Sequence, residues 1–157
     1  MHYKLFLSEI IIALQNQHYG GAFVVKFFDI YTTLSLDLLY VLSEFYHEIT
    51  ICKPLTSRPT NSEKYIICKG FRKLTKQRKK IIINLLNILP DIDEYSTRIL
   101  DINIPDEFVD FIKTSNEHYM YLQINSIQQN LYYIEKQNFN ISRNNERKQW
   151  LTKYQLL

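Results

Sequence analysis

Three short apolar runs constrain the fold more than any other feature of the sequence. They are AFVVKFF at 22–28, EITICKP at 48–54 and EKYIICKGF at 63–71, and each is rich in β-branched or aromatic residues. Runs of this length are typical of strands. The segment between the first two has helical spacing instead, with Leu38, Leu42 and Phe45 on one side. A strand, a helix and a strand in this order predict an α/β fold in which a right-handed crossover joins a parallel pair of strands.

The start of the chain agrees with this interpretation. In KLFLSEIIIALQNQHYGG, apolar residues recur at helical spacing and a Gly20-Gly21 pair marks the end of a helix. The first strand is apolar apart from Lys26, so we expect it to be buried on both faces of a sheet covered by helices. For the helix after that strand, three residues are candidate N-caps: Thr32, Thr33 and Ser35.

The composition changes after residue 72. Residues 69–80 carry seven Lys or Arg and no acid, whereas residues 91–118 carry eight Asp or Glu and two basic residues. The basic run predicts either a face that follows nucleic-acid phosphates or a solvated helix face. It continues into a helix that Pro90 ends, a second helix follows Pro105, and NNERKQWLTKYQLL at 144–157 predicts a third. We therefore predict two parts, 1–72 and a helical extension at 73–157.

Length and cysteine usage set the remaining limits. A chain of 157 residues suits one domain with a proper core. No apolar stretch approaches the roughly 20 residues that cross a membrane. Cys52 and Cys68 lie in apolar runs without metal-ligand spacing, and the four histidines have none either, so we predict no metal site. We expect a soluble intracellular protein with no membrane partner.

Two blocks of residues carry a specific resemblance to a known family. The first is GGAFVVKFFD at 20–29, with the pattern GG-x-F-x-x-K-x-F-D, and the second is KPLTSRPTNSEKY at 53–65. In this order, with a helix between them, they resemble the C-terminal half of the FtsJ-like ribose 2'-O-methyltransferases. The likeness covers residues 4–72 and is closest to the branch that methylates the first nucleotides of capped mRNA in eukaryotes and large DNA viruses.

The resemblance implies an α/β fold that is the C-terminal half of a Rossmann-like methyltransferase sheet, with three strands of which the last is antiparallel. It implies S-adenosylmethionine as cofactor and a Lys-Asp-Lys-Glu tetrad, in which Lys26 resembles the second lysine and Glu63 the glutamate. Arg58 and Asn61 then resemble contacts to the RNA backbone or ribose, although Asn61 also fits a simple turn residue.

Strand geometry supports the pairing of Lys26 and Glu63 independently. If the strand that begins at Glu63 runs antiparallel to the strand that contains Lys26, both residues lie at one edge of the sheet. Neighbouring strands are about 4.8 Å apart, so an ammonium and a carboxylate there can share a hydrogen bond. We expect Lys26 to act as a general base or as a group that orients the ribose hydroxyl, with Glu63 fixing its amine.

The family's glycine-rich cofactor loop and the first half of its tetrad have no counterpart in this sequence. We therefore expect most of the cofactor pocket to be absent from the chain. Two functions stay open: the C-terminal half of a cap 2'-O-methyltransferase, or a non-catalytic RNA-binding or accessory subunit. The expected partners are RNA, in particular capped mRNA, and a missing N-terminal half or a subunit of a capping complex. The expected location is the cytoplasm, with a viral factory or virion also open.

Overall fold

The computed structural model describes residues 3–93, 95–99, 103–136 and 144–154. Within them, a 3-10 turn, Leu89–Asp91, follows the third of five helices. The elements in chain order are α1 (Tyr3–Asn16), β1 (Phe23–Phe27), α2 (Thr33–Phe45), β2 (Tyr46–Cys52), β3 (Lys64–Phe71), α3 (Lys76–Ile88), α4 (Asp106–Glu135) and α5 (Asn144–Lys153). The predicted α/β class and the three predicted strands are confirmed. The helix predicted after Pro105 spans 105–137 and the next predicted helix spans 144–157, and of these residue 137 and residues 155–157 lie outside the described residues.

The three strands form one sheet in the order β1-β3-β2, with both pairings antiparallel. The last strand is therefore antiparallel, as predicted. β1 and β2 point the same way, as predicted for the strands on either side of α2, but they are not paired with each other: β3 lies between them and forms hydrogen bonds with both. The cause is the connection at 53–63, which reverses the chain after β2 and returns β3 into the gap.

The sheet is covered on one face only by the described residues, so the prediction that the first strand is buried on both faces was wrong. Val25 and Phe27 are 4% and 0% exposed, whereas Val24, which points the other way, is 57% exposed. Helices α1 and α2 pack on the covered face, and the Phe6 and Phe27 rings are 4.3 Å apart. β1 thus alternates between core and solvent although almost all of its residues are apolar.

Local signals fix where the first helices begin and end. Thr32 is the N-cap of α2, because its side-chain oxygen accepts a hydrogen bond from the Ser35 amide while Ser35 Oγ accepts one from the Thr32 amide. This reciprocal capping box explains why the helix starts directly after the β1 turn. α1 ends at Asn16, and Gly20 follows with a φ of 78°, which a glycine adopts without strain.

The helical extension shares the core of the first 72 residues. Ile82 and Leu85 of α3 and Ile112 of α4 are buried in the same apolar cluster as α1 and α2. Asp37 of α2 is fully buried and accepts a hydrogen bond of 2.9 Å from the Ile99 amide. Among the described helices, none is both long and apolar enough to cross a bilayer.

Candidate active site

Lys26 and Glu63 meet on the uncovered face of the sheet. Lys26 lies opposite Tyr65 in the register of β1 and β3, and Glu63 immediately precedes β3. Residues two positions apart across antiparallel strands are diagonal neighbours on one face. The Lys26 Nζ and Glu63 Oε2 atoms are accordingly 2.6 Å apart, in a charge-assisted hydrogen bond. The structure thus brings together the two residues that were predicted to be catalytic.

The ion pair is open to solvent on the lysine side. The side chains of Lys26 and Glu63 are 50% and 19% exposed. The hydrogen bond with Glu63 raises the pKa of Lys26, and burial opposes this more weakly. The same bond is the main cause of the lowered pKa of Glu63. At neutral pH Lys26 is therefore an ammonium, which donates hydrogen bonds and does not accept a proton.

Both oxygens of the Glu63 carboxylate have partners. The Tyr65 hydroxyl donates to Glu63 Oε1 at 3.3 Å, while Oε2 is held by Lys26. The Lys26 ammonium also lies 5.3 Å from the centre of the Phe28 ring. An ammonium has three donors, so Lys26 can direct a further N–H at a ligand while it stays bonded to Glu63.

Lys53 belongs to the candidate site, although the sequence analysis did not single it out. Its ammonium donates to three acceptors: the Asn61 backbone oxygen at 2.6 Å, Asn61 Oδ1 at 2.9 Å and the Glu63 backbone oxygen at 2.9 Å. Burial lowers the pKa of Lys53, with a weaker opposing effect of Glu63. Lys53 therefore folds the loop at 53–63 back on itself. It opens the KPLTSRPTNSEKY block, and that position was the signal that could have identified it.

The two predicted RNA contacts have different surroundings. Arg58 is exposed at the tip of the loop. Asn61 is half-buried, and Lys53 binds both its backbone oxygen and its side-chain oxygen. The structure therefore leaves Arg58 available to a ligand and uses the Asn61 side chain inside the loop.

A buried cation, Lys64, supports the start of β3. Lys64 is only 4% exposed and donates to the Ser62 backbone oxygen at 2.9 Å. Burial lowers its pKa, against a weaker effect of Asp29. Its ammonium lies 5.7 Å from the centre of the Tyr119 ring of α4. Lys53 and Lys64 therefore both hold the backbone of the loop next to Glu63.

A groove of about 480 Å³ opens between α1 and the free edge of β1 and reaches Lys26. Its walls include Ile12 and Val24, which are both more than half exposed, and the polar residues Glu9 and Asn16. Among the described residues no group of His, Cys, Asp and Glu has the arrangement of a metal site. A ligand in this groove would meet the apolar side chains of Ile12 and Val24, the polar side chains of Glu9 and Asn16, and the ammonium of Lys26.

Comparisons with known proteins agree with the resemblance seen in the sequence. The FtsJ-like methyltransferase family matches residues 1–71. The chain is 32% identical over 130 residues to cap-specific mRNA (nucleoside-2'-O-)-methyltransferase 1 of Bos taurus, and equally so to that of Homo sapiens. It is 35% identical over 115 residues to the protein of the same name in Dictyostelium discoideum. The predicted resemblance to FtsJ-like methyltransferases is confirmed.

The matches to the relatives cover most of this chain but only a small part of the relatives themselves. The bovine match covers 79% of the chain, so the similarity continues past residue 71 into the helical extension. In the other direction, the chain spans about 16% of the length of the bovine and human relatives and 15% of that of the Dictyostelium relative.

Proposed function

We propose, from the match of residues 1–71 to the FtsJ-like methyltransferases, that this chain forms the acceptor side of an RNA ribose 2'-O-methyltransferase that acts on capped mRNA. In this proposal residues 1–72 are the C-terminal half of a Rossmann-like methyltransferase domain and residues 73–157 a helical extension. The observation that carries it is the 2.6 Å contact between Lys26 and Glu63 at the rim of the sheet.

The proposed chemistry concerns the ribose hydroxyl. A neutral hydroxyl is a poor nucleophile, and its oxygen becomes reactive toward a methyl group as it loses its proton and gains negative, alkoxide-like charge. Of the two roles expected for Lys26, its raised pKa favours orientation of the hydroxyl over general base catalysis. The ammonium then stabilises the developing charge on oxygen, while Glu63 keeps the amine in place. The proton leaves to solvent or to a group outside this pair.

S-adenosylmethionine supplies the methyl group in FtsJ-like methyltransferases, and the positions of the glycines bear on where it binds. The chain has three glycines, Gly20, Gly21 and Gly70. They lie before β1 and at the end of β3, at the edge of the sheet opposite Lys26 and Glu63. No glycine backbone therefore cradles a cofactor beside the ion pair. We assign this chain the acceptor hydroxyl only and propose that another polypeptide segment holds the cofactor.

RNA is the proposed partner of the loop. Arg58 is exposed at its tip, where a guanidinium suits a phosphate of the RNA backbone. Asn61 is engaged by Lys53, so we propose that it acts by shaping the loop. A phosphate contact fixes the position of the chain on RNA without reading its sequence.

The glycine positions also favour a second candidate function, a non-catalytic RNA-binding or accessory subunit. In that case the chain alone binds capped RNA, and no joined cofactor-binding segment makes it active. Calorimetry with S-adenosylmethionine on the chain alone tests whether another segment holds the cofactor. We expect no tight binding, and a tight complex would contradict the assignment of the cofactor to another segment.

A chimera separates the two candidates. The matching segment of the bovine relative is replaced by this chain, and the purified chimera is given capped RNA and methyl-labelled S-adenosylmethionine. Nuclease digestion and mass spectrometry then identify the methylated nucleoside. We expect a 2'-O-methylribose next to the cap and none on uncapped RNA. A folded chimera that binds the cofactor and methylates no RNA would favour the accessory function.

A further inference from the structure

Helix α4 makes three hydrogen bonds to the segments that carry the candidate active site. Asn116 Nδ2 donates to the Ile30 backbone oxygen at 2.6 Å, the Tyr119 hydroxyl to the Ile51 backbone oxygen at 2.8 Å, and Gln123 Nε2 to the Thr60 backbone oxygen at 3.0 Å. All three bonds run from a side chain of the extension to the backbone of the first 72 residues.

The three donors form one stripe on the helix. Residues 116, 119 and 123 are spaced by three and four positions, and such neighbours face the same way. Seven residues of helix rise about 10 Å, so the stripe reaches across several strands of a sheet. The stripe is therefore long enough to reach the backbone at Ile30, Ile51 and Thr60.

The three acceptors belong to different parts of the site. Ile30 is in the turn that follows β1, four residues after Lys26. Ile51 is near the end of β2, two residues before Lys53. Thr60 is in the loop, three residues before Glu63. The β1–β3 register ends with Phe27 opposite Lys64, so the turn at Ile30 and the loop at Thr60 both lie beyond the paired strands.

We propose that Asn116, Tyr119 and Gln123 are positioning residues that hold the loop at 53–63 against the end of β1, so that Glu63 keeps its contact with Lys26. This inference rests on the proposed function only in treating Lys26 and Glu63 as the active pair. Lys53 fixes the loop from within, and α4 fixes it from outside. The extension is therefore part of the catalytic apparatus, although none of its described residues touches the ion pair.

The test uses the whole chain without RNA or cofactor. Gln123→Met keeps the size of the side chain and removes the donor, and a triple variant adds Asn116→Leu and Tyr119→Phe. The matched control is Gln128→Met, five residues further along α4 on an exposed position. Two quantities are measured by nuclear magnetic resonance: hydrogen exchange of the loop amides, and the pKa of the Glu63 carboxyl. Thermal unfolding is followed in parallel.

We expect Gln123→Met to accelerate exchange of the loop amides about fivefold, as the loss of one partly buried hydrogen bond implies. The pKa of Glu63 should move up toward its ordinary value of 4.5, further in the triple variant. Amides of β3 beyond the loop and the control variant should not change. A purely structural role of α4 instead predicts faster exchange throughout the chain with an unchanged Glu63 pKa.

Two results would overturn the inference. One is a triple variant whose loop exchange and Glu63 pKa equal those of the wild type. The other is a uniform loss of stability with no specific effect on the loop. Because neither measurement needs methyl transfer, failure here is distinct from failure of the chimera to methylate RNA.

Discussion

The sheet holds two lysine–glutamate pairs, one toward each end of β3. Lys26 and Glu63 join β1 to the start of β3 at 2.6 Å, and Lys69 and Glu48 join β3 to β2 at 3.0 Å. Both pairs connect antiparallel neighbours, and in both the lysine lowers the pKa of the glutamate. The second pair therefore provides an internal control with the same two residue types, although Lys69 lies directly opposite Glu48 whereas Lys26 and Glu63 are diagonal neighbours.

The surroundings of the two pairs differ. The side chains of Lys69 and Glu48 are 58% and 55% exposed, whereas that of Glu63 is 19% exposed. Glu63 is also held by the Tyr65 hydroxyl, and its backbone oxygen by Lys53. Exposed ion pairs contribute little to stability because water competes for both partners. The anchored Glu63 carboxylate therefore distinguishes the proposed site from the exposed Lys69–Glu48 pair.

The largest effect should come from the lysines. Lys26→Met in the chimera with the bovine relative should reduce methyl transfer by about 100- to 1,000-fold, the usual effect of losing one donor to a developing negative charge. Lys69→Met should stay within about twofold of the wild type, because it removes an exposed ion pair only. Rates of 2'-O-methylation and calorimetric affinities for S-adenosylmethionine are compared. Full activity of Lys26→Met would reject its role, and lost cofactor affinity would point to a folding defect.

Exchanging the charges tests whether activity depends on the position of the ammonium or only on the presence of an ion pair. The double variant Lys26→Glu/Glu63→Lys can remake an ion pair, yet it moves the ammonium from β1 to the loop. We expect methyl transfer to remain reduced by about 100-fold, since a misplaced group loses the benefit of orientation. The double variant Lys69→Glu/Glu48→Lys should be as active as the wild type. Recovery of activity in the first variant would show that the pair matters without regard to direction.

Removing the inner support of the loop should have an intermediate effect. Lys53→Met leaves three acceptors without their donor, so the loop that carries Glu63 loses its fixed shape. We expect methyl transfer by the chimera to fall about tenfold through loss of orientation, with Lys69→Met as the matched control. Equal activity of Lys53→Met and Lys69→Met would mean that the loop holds its shape without Lys53.

The parts of the site that could be predicted depend on short blocks of sequence, whereas the other parts depend on contacts between residues that are far apart in the chain. Lys26 and Glu63 could be predicted because each lies in a short block that resembles the FtsJ-like methyltransferases, and antiparallel geometry then supports their pairing. The insertion of β3 between β1 and β2 was not predictable, because composition identifies strands without giving their neighbours. The bonds of Lys53 and of Gln123 depend on the fold of a loop and on the docking of a distant helix. The position of Lys53 in its block marks the residue but does not give these contacts.

The smallest effect should come from substitution of Tyr65. Its hydroxyl donates a hydrogen bond to Glu63, and this contact distinguishes Glu63 from Glu48. Its hydroxyl stabilises the Glu63 carboxylate, so Tyr65→Phe should raise the pKa of Glu63 toward 4.5 and leave that of Glu48 unchanged. A lowered folded-state pKa contributes stability that is present above the ordinary value and lost as pH falls through the folded value. In the variant the Lys26–Glu63 pair should therefore break at a higher pH during acid titration. Carboxyl carbon shifts of both glutamates measure this, and equal shifts of the two would contradict a specific contact.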